Sequence, residues 1–521
     1  MLSIRKTIIL VLAILTALFL ASCTAETESY INDYDVHENG IEVNDSTPLD
    51  IVHTAFTGDP DQAYNFLWQE GRYREWEEDI IFYAETILEN YPFFVDFDSF
   101  RVTGEAGRVH HLFPTNVDYT GFIFDTLLQR AAARNGIFEY ERESMTKALR
   151  ELFIDKINTL INDIPNLDDF EIRYRLSEVA AILCDIHTEI DLREGSVFPV
   201  HVLSLYNGIY LVSVPKEIEF ALYSKLLSIN DICIDEIIER FRAIVPHENE
   251  YRRHGSIQQL LMTKELLYFM NIVDDSGNAY FTIMDTSGEI FDVQLQAISQ
   301  YEFQNMSDAE LARHDFYTSF KHSRTGDRLC LITSRQLEGS IDGYYFWHEF
   351  FQDYNILYVR SVHFRGDNDT FEAKQYLNQK LRDWPYDNKI DKLIIDIRQN
   401  GGGVLDWPSI FYFPFLSQRV SSFYVLIDGR SLSRSVLVAA NLRNHMESDV
   451  TIIGEPAGQP ENFFTGAMRA MPNSGLLFSF STTLRAHSNS EDTVFRPDIF
   501  IPLTIDDIIN NHDPLLEFIK K

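Results

Sequence analysis

Cysteine is scarce in this sequence, and the few cysteines are widely spaced. The four are Cys23, Cys184, Cys233 and Cys330, and no two have the Cys-x-x-Cys spacing of a metal or redox motif. Cys23 stands apart from the others near the start of the chain, and without it an odd number remains. This argues against a disulfide framework and against a cysteine-based zinc site, and it predicts that the other three are buried as small apolar side chains.

Basic residues are also few. Lys and Arg total 44 against 79 Asp and Glu, which gives a formal net charge of −35 and a pI of about 4.7. A surface of this sign repels phosphate groups, so the charge argues against nucleic acid as a partner and against anionic lipid bound through the folded surface. Hydrophobic residues make up 45% of the chain, with 39 Phe and 25 Tyr, as in a globular protein rather than a disordered one.

Cofactor motifs are missing as well. The sequence has no phosphate-binding loop, and no group of His, Asp and Glu has the spacing of a metal site. We therefore expect neither a cofactor nor a metal from the sequence alone.

One long apolar run stands near the start of the chain. Two basic residues precede the run at 7–20, and Leu-Ala-Ser-Cys follows at 20–23. This order predicts a secretory signal peptide over residues 1–22. The ending resembles a bacterial lipobox, which would make Cys23 the lipidated first residue. The alternative is a permanent transmembrane helix, for which the run is short.

The segment after the signal is polar and acidic. Residues 23–73 contain few large apolar side chains at their start, so we interpret them as a flexible tether. Together with the lipid on Cys23, this predicts a protein anchored to the cell membrane and facing the extracytoplasmic side.

Changes of residue pattern divide the rest of the chain. Residues 74–190 have apolar residues at helical spacing, which predicts a helical N-terminal region. Residues 191–300 read as short strands, and residues 335–521 alternate apolar strands with helices, which predicts an α/β core with its ligand site at the strand carboxyl ends. The predicted helices are 76–88, 145–161, 168–183, 235–242, 370–384 and 436–444, and the predicted strands are 208–214, 225–230, 280–284, 291–295, 355–360, 393–397, 423–427 and 450–453.

Two neighbouring segments of the core suggest chemistry. Three consecutive glycines at 401–403 follow the strand 393–397, so the backbone there can approach a ligand and present N–H groups. A serine-rich segment at 431–435 lies between the strand 423–427 and a helix. Such a serine can be a nucleophile beside N–H groups that stabilise an oxyanion, which favours acyl transfer such as peptide-bond hydrolysis. The alternatives are a tight turn for the glycines and a helix cap for the serine.

The order of these segments resembles the serine peptidase family of C-terminal-processing (tail-specific) proteases and the tricorn core. The resemblance extends over roughly residues 74–521. It implies a crotonase-like α/β peptidase core, a PDZ-like domain at 191–300, and a peptide or unfolded protein as substrate. The matching segments are Asp-Ile-Arg-Gln-Asn-Gly-Gly-Gly at 396–403, Ser-Leu-Ser-Arg-Ser at 431–435, Gly-Glu-Pro at 454–456, Pro-Asp at 497–498 and, upstream, Asp-Ile-His-Thr at 185–188.

The resemblance assigns a nucleophile and an oxyanion hole. Ser433 lies six residues before Ala439, as the family nucleophile does before its alanine. The neighbouring Ser431 and Ser435 would then cap or pack. The N–H of Arg434, together with that of Gly402 or Gly403, would form the oxyanion hole.

The general base is the unusual feature. Tail-specific proteases carry a Lys soon after Gly-Glu-Pro, but Pro460 stands there, and no lysine occurs between Lys392 and Lys520. A Ser–Lys dyad in the usual place is therefore excluded. The tricorn core uses a His at the position matched by His187, whose neutral imidazole can take a proton near pH 7. The alternative is a structural His187, and Ile186 replaces the serine that tricorn has there.

The remaining candidates follow from the same resemblance. Glu491, six residues before Pro497, matches an acidic residue of the tricorn type, or it is a surface residue. Asp396 and Arg398 are expected to form a buried ion pair that holds the glycine loop. Three other histidines have no motif support: His201, His363 and His445.

The sequence thus predicts an extracytoplasmic, membrane-anchored serine peptidase. One alternative is a non-catalytic peptide-binding lipoprotein on the same fold, because a fold alone does not give a function. The other is a solute-binding lipoprotein, which would leave the glycine loop and the serine segment unexplained.

Overall fold

The computed structural model describes residues 60–95, 101–103, 119–192, 195–307, 309–313, 346–361, 364, 390–403, 420–446, 450–488 and 492–521. Several predicted features lie outside these residues: the signal peptide, Cys23, most of the tether, Cys330, the helix 370–384, His363, the side chain of His445, and Glu491. Within the described residues, no helix is both long and apolar enough to cross a bilayer.

The N-terminal part of the described chain is helical, as the periodicity of residues 74–190 predicts, but its first helix begins at Pro60, inside the segment 23–73 that we interpreted as a flexible tether. Side chains one turn apart on the third helix are buried together, among them Leu149, Phe153 and Ile157. The fourth helix begins with a capping box, in which Asp168 and Glu171 each accept the other's backbone N–H. The four helices are α1 Pro60–Asn90, α2 Tyr119–Arg134, α3 Arg142–Asp163 and α4 Asp169–Ala181.

A seven-stranded antiparallel sheet follows, in the region where we expect a PDZ-like domain. Its strands run in the order β10-β4-β5-β7-β8, with β3 added to β4 and β6 to β5. The PDZ-like character itself stays a prediction. The strands are β3 His201–Leu205, β4 Gly208–Pro215, β5 Lys225–Ile229, β6 Ile232–Cys233, β7 Asn278–Met284, β8 Ile290–Gln296 and β10 Leu311–Arg313, and short helices connect them: α5 Ile234–Phe241, α6 Glu250–Leu260, α7 Lys264–Phe269 and α8 Gln300–Asn305.

One cysteine prediction is wrong. Cys233 is exposed, because it ends β6 at the point where the chain turns into α5 and its side chain faces away from the sheet core. Cys184 is buried, as predicted.

The C-terminal part of the described chain is built on a six-stranded sheet in the order β11-β12-β13-β14-β15-β18. Only the edge pair β11 and β12 is antiparallel, and the other neighbours are parallel. The strands are β11 Phe346–Phe351, β12 Ile356–Ser361, β13 Lys392–Asp396, β14 Ser422–Ile427, β15 Val450–Gly454 and β18 Ile499–Phe500. The helical N-terminal region and the α/β core predicted from the sequence are both confirmed.

Alternation along the central strands explains how this sheet is buried. Leu393 and Ile395 pack on one face with the helix α9 (Arg434–Met446), whereas Ile394 packs on the other face with the C-terminal helix α11 (Pro514–Lys520). Strands covered on both faces read as continuous apolar runs. Because β13, β14 and β15 are parallel, the three loops that follow them lie at one edge of the sheet.

A long hairpin carries the segment after α4 toward this core. β16 (Phe463–Ala470) and β17 (Leu477–Arg485) pair with each other, and β1 (Arg101–Thr103) pairs with β17. Ser479 N donates to Glu189 O at 2.9 Å, and Asp191 N donates to Leu477 O at 3.0 Å. These bonds fix residues 185–191 beside the hairpin. Residues Gln69–Lys521 form one compact unit. One short strand pair and one short helix also belong to the described chain: β2 Ser196–Val197 with β9 Ile298–Ser299, and α10 Ile505–Ile509.

Candidate functional site

Ser433 stands at the turn between β14 and α9. Its φ of 51° lies in the left-handed region, which a residue with a Cβ adopts only when its surroundings impose it. Its backbone N–H donates to Gln459 Oε1 at 2.6 Å, and this bond is one of the constraints. The side chain is half-buried, so the hydroxyl is held in place and still accessible.

The two neighbouring serines are fully buried, and their hydroxyls bind backbone oxygens of the loops. Ser431 Oγ donates to Ile397 O at 2.9 Å, and Ser435 Oγ lies 2.6 Å from Asn400 O. Both hydroxyls therefore tie the serine turn to the glycine loop. Only the middle serine of the three presents its hydroxyl toward the histidine described next.

His187 is brought to Ser433 from a distant part of the sequence. Its Nε2 lies 3.1 Å from Ser433 Oγ, within hydrogen-bond distance. Its backbone N–H donates to Asp185 Oδ1 at 3.0 Å, and its ring stacks on Phe463 with a centroid separation of 5.6 Å and an interplanar angle of 11°. The loop after α4 and the start of β16 together fix the plane of the imidazole.

The surroundings of His187 favour its neutral form. Burial lowers the pKa of His187, and the positive charges of Arg252 and Arg485 lower it further. The Asp185 carboxylate and a backbone hydrogen bond to Phe464 oppose this shift and favour the protonated ring. A neutral imidazole at neutral pH can accept a proton from a hydroxyl.

Gln459 is a site residue that our sequence reasoning missed. Besides accepting from Ser433 N, its side chain donates from Nε2 to Glu248 Oε1 at 2.8 Å, and Nε2 lies 3.4 Å from His187 Nδ1. The resemblance to tail-specific proteases concerns the next residue, Pro460, which stands where those proteases carry a Lys. The signal that could have found Gln459 is its place in the loop after β15, the third of the three loops at this edge of the sheet.

Glu248 is the second missed residue, and no motif surrounds it in the sequence. It lies in the loop between α5 and α6, and only 2% of its surface is exposed. Burial, followed by the nearby Asp185 carboxylate, raises the pKa of Glu248 to about 7. Its Oε2 atom is buried without a hydrogen-bond partner.

The fold also gathers possible metal ligands that sequence spacing did not reveal. One donor atom each from Asp185, His187 and Glu248 can be chosen so that all lie within 4.8 Å of one another. Two of the three come from one short segment and the third from a distant loop. Our expectation of no metal-binding group rested on spacing alone, which cannot detect such a set.

The glycine loop approaches the serine turn closely. At Gly402, which has a φ of 92°, a Cβ would lie 2.7 Å from Ser433 Cβ and 2.9 Å from Arg434 N. At Gly403, with a φ of 136°, a Cβ would lie 1.9 Å from the backbone oxygen of Phe364, with which it forms a parallel bridge. Glycine is thus required at 402 by the nucleophile turn and at 403 by the neighbouring chain.

The predicted oxyanion role of Gly402 needs correction in this conformation. Its N–H donates to Asn400 Oδ1 at 2.8 Å, so this amide is already engaged within the loop. What Gly402 supplies here is open space in front of Arg434 N. Arg434 begins α9, whose helix dipole places partial positive charge at this end.

A buried ionic network supports the start of the glycine loop. Asp396 accepts from Arg360 Nη1, from Arg398 Nη2 and from the Tyr358 hydroxyl, each at 2.6 Å. Although burial opposes ionisation, the two guanidinium groups hold the pKa of Asp396 well below its usual range. Arg398 also donates to Asp513 Oδ2 at 2.7 Å. The predicted ion pair of Asp396 and Arg398 is confirmed as part of this larger network.

The other sequence candidates contribute no described contact to the site. Glu491 and the side chains of His363 and His445 lie outside the described residues. His201 is on β3 of the antiparallel sheet, where its ring lies 4.6 Å from that of Phe303.

Comparison with known proteins bears on the fold. Mature CPAF superposes with a TM-score of 0.51 over 77% of this chain and 97% of that chain, at 12% sequence identity. Mature CPAF complexed with lactacystin gives a TM-score of 0.50 and 12% identity over 77% and 98%. The chain shares the fold of mature CPAF.

Two further results limit how far this likeness extends. The photosystem II D1 C-terminal processing protease matches with a TM-score of only 0.30, at 11% identity over 74% of this chain and 93% of that chain, which is too low to support an argument. No family model matches the chain, and no curated protein matches it. The comparisons therefore establish the fold alone.

Proposed function

We propose that this protein is a serine peptidase that cleaves peptide bonds through an acyl-enzyme on Ser433. The observation that carries the proposal is the 3.1 Å separation of Ser433 Oγ and His187 Nε2. It lies at the carboxyl edge of the parallel sheet in a serine-peptidase fold, with the serine in a left-handed turn at the start of a helix.

The two residues have complementary roles in this reaction. As Ser433 Oγ attacks the carbonyl carbon, its proton passes to His187 Nε2, and the resulting imidazolium then gives that proton to the departing amine when the C–N bond breaks. Water, deprotonated in the same way, attacks the ester carbon and releases the acid together with the Ser433 hydroxyl. Protons and bonds balance over the two half-reactions without any further reactant.

The reaction requires His187 to carry its proton on Nδ1. Asp185 Oδ1 is the carboxylate oxygen on that side, 3.9 Å from Nδ1, and it favours the imidazolium that forms. We assign Asp185 the role of stabilising this charge. Gln459 is assigned the positioning of Ser433, because its carbonyl oxygen holds the Ser433 N–H while Glu248 anchors its amide.

The oxyanion of the tetrahedral intermediate is assigned to the N terminus of α9. The Arg434 N–H lies beside the space that Gly402 leaves open, and the dipole of a 13-residue helix adds to its effect. The amide of Gly403 remains the second candidate from the glycine loop.

Location and substrate belong to the same proposal. We infer that a lipid on Cys23 holds the protein at the cell membrane on the extracytoplasmic side, and that peptides or unfolded proteins reach the site from there. A mature CPAF structure contains lactacystin. Lactacystin is therefore a second compound to test for reaction with Ser433.

The decisive experiment is labelling of the purified full chain with a fluorophosphonate, followed by peptide mapping. We expect the label on Ser433 and no label in Ser433→Ala, while Ser435→Ala remains reactive if its fold is retained by circular dichroism. A folded wild type that neither reacts with the probe nor cleaves any unstructured protein would favour the non-catalytic peptide-binding alternative. Labelling on another serine would contradict the assignment.

A further inference from the structure

A cluster of ligand-type side chains lies directly behind the proposed general base. Asp185, His187 and Glu248 offer two carboxylates and an imidazole, with donor atoms within 4.8 Å of one another. His187 Nδ1 and Asp185 Oδ1 are already 3.9 Å apart. Both carboxylate residues are buried, at 2% exposure each, so the donors face one another rather than bulk water.

A second observation points to a ligand at this place. Glu248 Oε2 is buried and has no hydrogen-bond partner, and no ion pair to the Glu248 side chain is found in the described part of the chain. Arg130 acts on Glu248 only electrostatically, and Arg134 donates to the backbone oxygen of Glu248 instead, at 2.9 Å. A buried carboxylate oxygen without a donor is costly, and a cation would satisfy it.

The type of donor selects the type of ion. One imidazole nitrogen with two carboxylate oxygens is a set that suits Zn²⁺, whereas Mg²⁺ and Ca²⁺ prefer all-oxygen sites with more ligands. Gln459 Nε2 now lies between Glu248 Oε1 and His187 Nδ1, so its N–H groups occupy part of the space that a cation would take. Binding therefore requires the Gln459 amide to move aside.

We propose that Asp185, His187 and Glu248 form a binding site for a divalent transition-metal ion such as Zn²⁺, and that an ion bound there switches the peptidase off. The inhibitory half rests on the function proposed above. The metal site itself does not, because it follows from the three donors and the unsatisfied oxygen of Glu248.

The inhibition follows because the two nitrogens of the His187 imidazole face different partners: Nδ1 lies on the side of Asp185, and Nε2 faces Ser433. A metal on Nδ1 of the neutral imidazole leaves the single ring proton on Nε2. Nε2 faces Ser433 Oγ at 3.1 Å, and an Nε2–H donor cannot take the serine proton. Displacing Gln459 would also release the Ser433 N–H that it now holds. Both effects disappear when a chelator removes the ion.

The metal site is tested first by calorimetric titration of the full chain in detergent with Zn²⁺ and, separately, with Mg²⁺. We expect about one Zn²⁺ per chain at this site and no measurable Mg²⁺ binding. Glu248→Gln should weaken Zn²⁺ binding at least about tenfold, because loss of a residue that merely supports a metal ligand already costs about 10–100-fold in affinity. His512→Asn is the matched control, because His512 and Asp507 form an exposed histidine–carboxylate pair at 2.7 Å, and binding should be unchanged.

A second measurement tests the site on the wild-type chain, in case Glu248→Gln does not fold. X-ray absorption of the wild-type chain with equimolar Zn²⁺ should show nitrogen and oxygen ligands including one imidazole. The proposed site is wrong if the wild-type chain binds no Zn²⁺. It is also wrong if Glu248→Gln leaves Zn²⁺ binding intact while His512→Asn removes it.

The inhibitory half is tested by fluorophosphonate labelling with Zn²⁺ and after addition of EDTA. We expect labelling to fall at least about tenfold and then to recover, because the base is blocked reversibly. Zn²⁺ binding with unchanged labelling overturns the switch. Zn²⁺ binding to a chain that has no peptidase activity under any condition contradicts the proposed function and leaves the metal site standing.

Discussion

Ser433 owes its conformation to neighbours from two other loops. Gln459 binds its N–H, and Gly402 leaves room for its Cβ at a distance where any other residue would collide. A left-handed residue with a Cβ costs of order 1–3 kcal/mol, so the fold maintains this turn at the expense of stability. Such strain concentrates at functional sites, which is a reason to expect large effects from small changes here.

The first residue-scale prediction concerns the base. His187→Ala should lower the hydrolysis rate at least about a hundredfold, the low end for loss of a general base. In the wild type, the reactive ring is the neutral one, so activity rises as pH rises through the pKa of His187. Because burial lowers that pKa, the midpoint of this rise should lie below about 6.5, the usual value for histidine.

The measurement is a pH–rate profile on wild type, His187→Ala and His512→Ala, with folding checked by circular dichroism. His512 is exposed and its side chain pairs with Asp507 rather than with Ser433 or His187, so its variant should behave as wild type. A folded His187→Ala with undiminished activity would make His187 structural.

The second residue-scale prediction separates positioning from binding. Gln459→Met removes the acceptor of the Ser433 N–H at nearly constant volume, and we expect kcat to fall about tenfold or more with little change in KM. Gln258→Met is the control, because Gln258 Oε1 also accepts a backbone N–H, from Ser204 at 3.3 Å, in the other sheet. Equal losses in the two variants, or a loss confined to KM, would contradict a positioning role.

A third prediction concerns the pH dependence of stability. The pKa of Glu248 is raised to about 7 in the folded state, against about 4.3 for a free glutamate, so the folded chain binds its proton more tightly. This group therefore favours folding at low pH, and its contribution is lost as pH rises from about 4.3 to about 7. Glu248→Gln should raise the free energy of unfolding by about 1–3 kcal/mol at pH 8 and change it little at pH 4.

Urea unfolding of both chains at the two pH values, in the presence of EDTA, measures this difference. Glu517→Gln is a suitable comparison, since Glu517 forms an exposed pair with Lys520. The opposite sign, with the Glu248 variant less stable at pH 8 than at pH 4 relative to wild type, would show that the carboxylate is stabilised as an anion.

At the scale of elements, three successive loops of the parallel sheet deliver the site. The loops after β13, β14 and β15 contribute Gly402, Ser433 and Gln459, because parallel strands end at one edge. This much could be predicted, since the apolar runs and the glycine and serine segments are visible in the sequence. His187 could be found only through a motif. Its position beside Ser433 depends on backbone hydrogen bonds between residues 185–191 and β17.

Gln459 and Glu248 could not be predicted, for a physical reason. Their roles depend on side-chain hydrogen bonds between segments far apart in sequence, and neither residue has a distinctive local pattern. The exposed Cys233 shows the same limit, because a residue at the boundary between a short strand and a helix can face either way.

The C-terminal helix gives the element-scale prediction. Asp513 caps α11 by accepting from Leu515 N at 3.1 Å, and it also accepts from the buried Arg398, which holds the glycine loop. Asp513→Ala should therefore cost about 2–4 kcal/mol, more than a cap alone, because it leaves a buried guanidinium without one of its partners. Thr504→Ala removes the cap of α10 but breaks no ion pair, so it should lower the free energy of unfolding by only about 1 kcal/mol.

Urea unfolding of the two variants tests this difference, and labelling of Ser433 in the folded Asp513→Ala chain shows whether the glycine loop has moved. Asp513→Ala that is no less stable than Thr504→Ala would show that Arg398 is held by Asp396 alone.

At the scale of the whole molecule, the prediction concerns attachment. Cys23→Ser should release the chain from the membrane fraction or block its maturation, because thioether lipidation requires the cysteine thiol. Fractionation and metabolic labelling with a fatty acid measure both outcomes, and Cys233→Ser is the control with the thiol that the fold exposes. Identical fractionation of Cys23→Ser and wild type, without lipid on either, would contradict the anchor.

The left-handed turn at Ser433 also has an evolutionary consequence. Glycine adopts a φ of 51° without the penalty that a Cβ imposes, so Ser433→Gly should be folded, inactive and about 1 kcal/mol more stable than Ser433→Ala. A lineage that no longer needed the reaction would gain by this single replacement. A catalytic Ser433 therefore predicts that relatives which have lost the reaction carry glycine at this position.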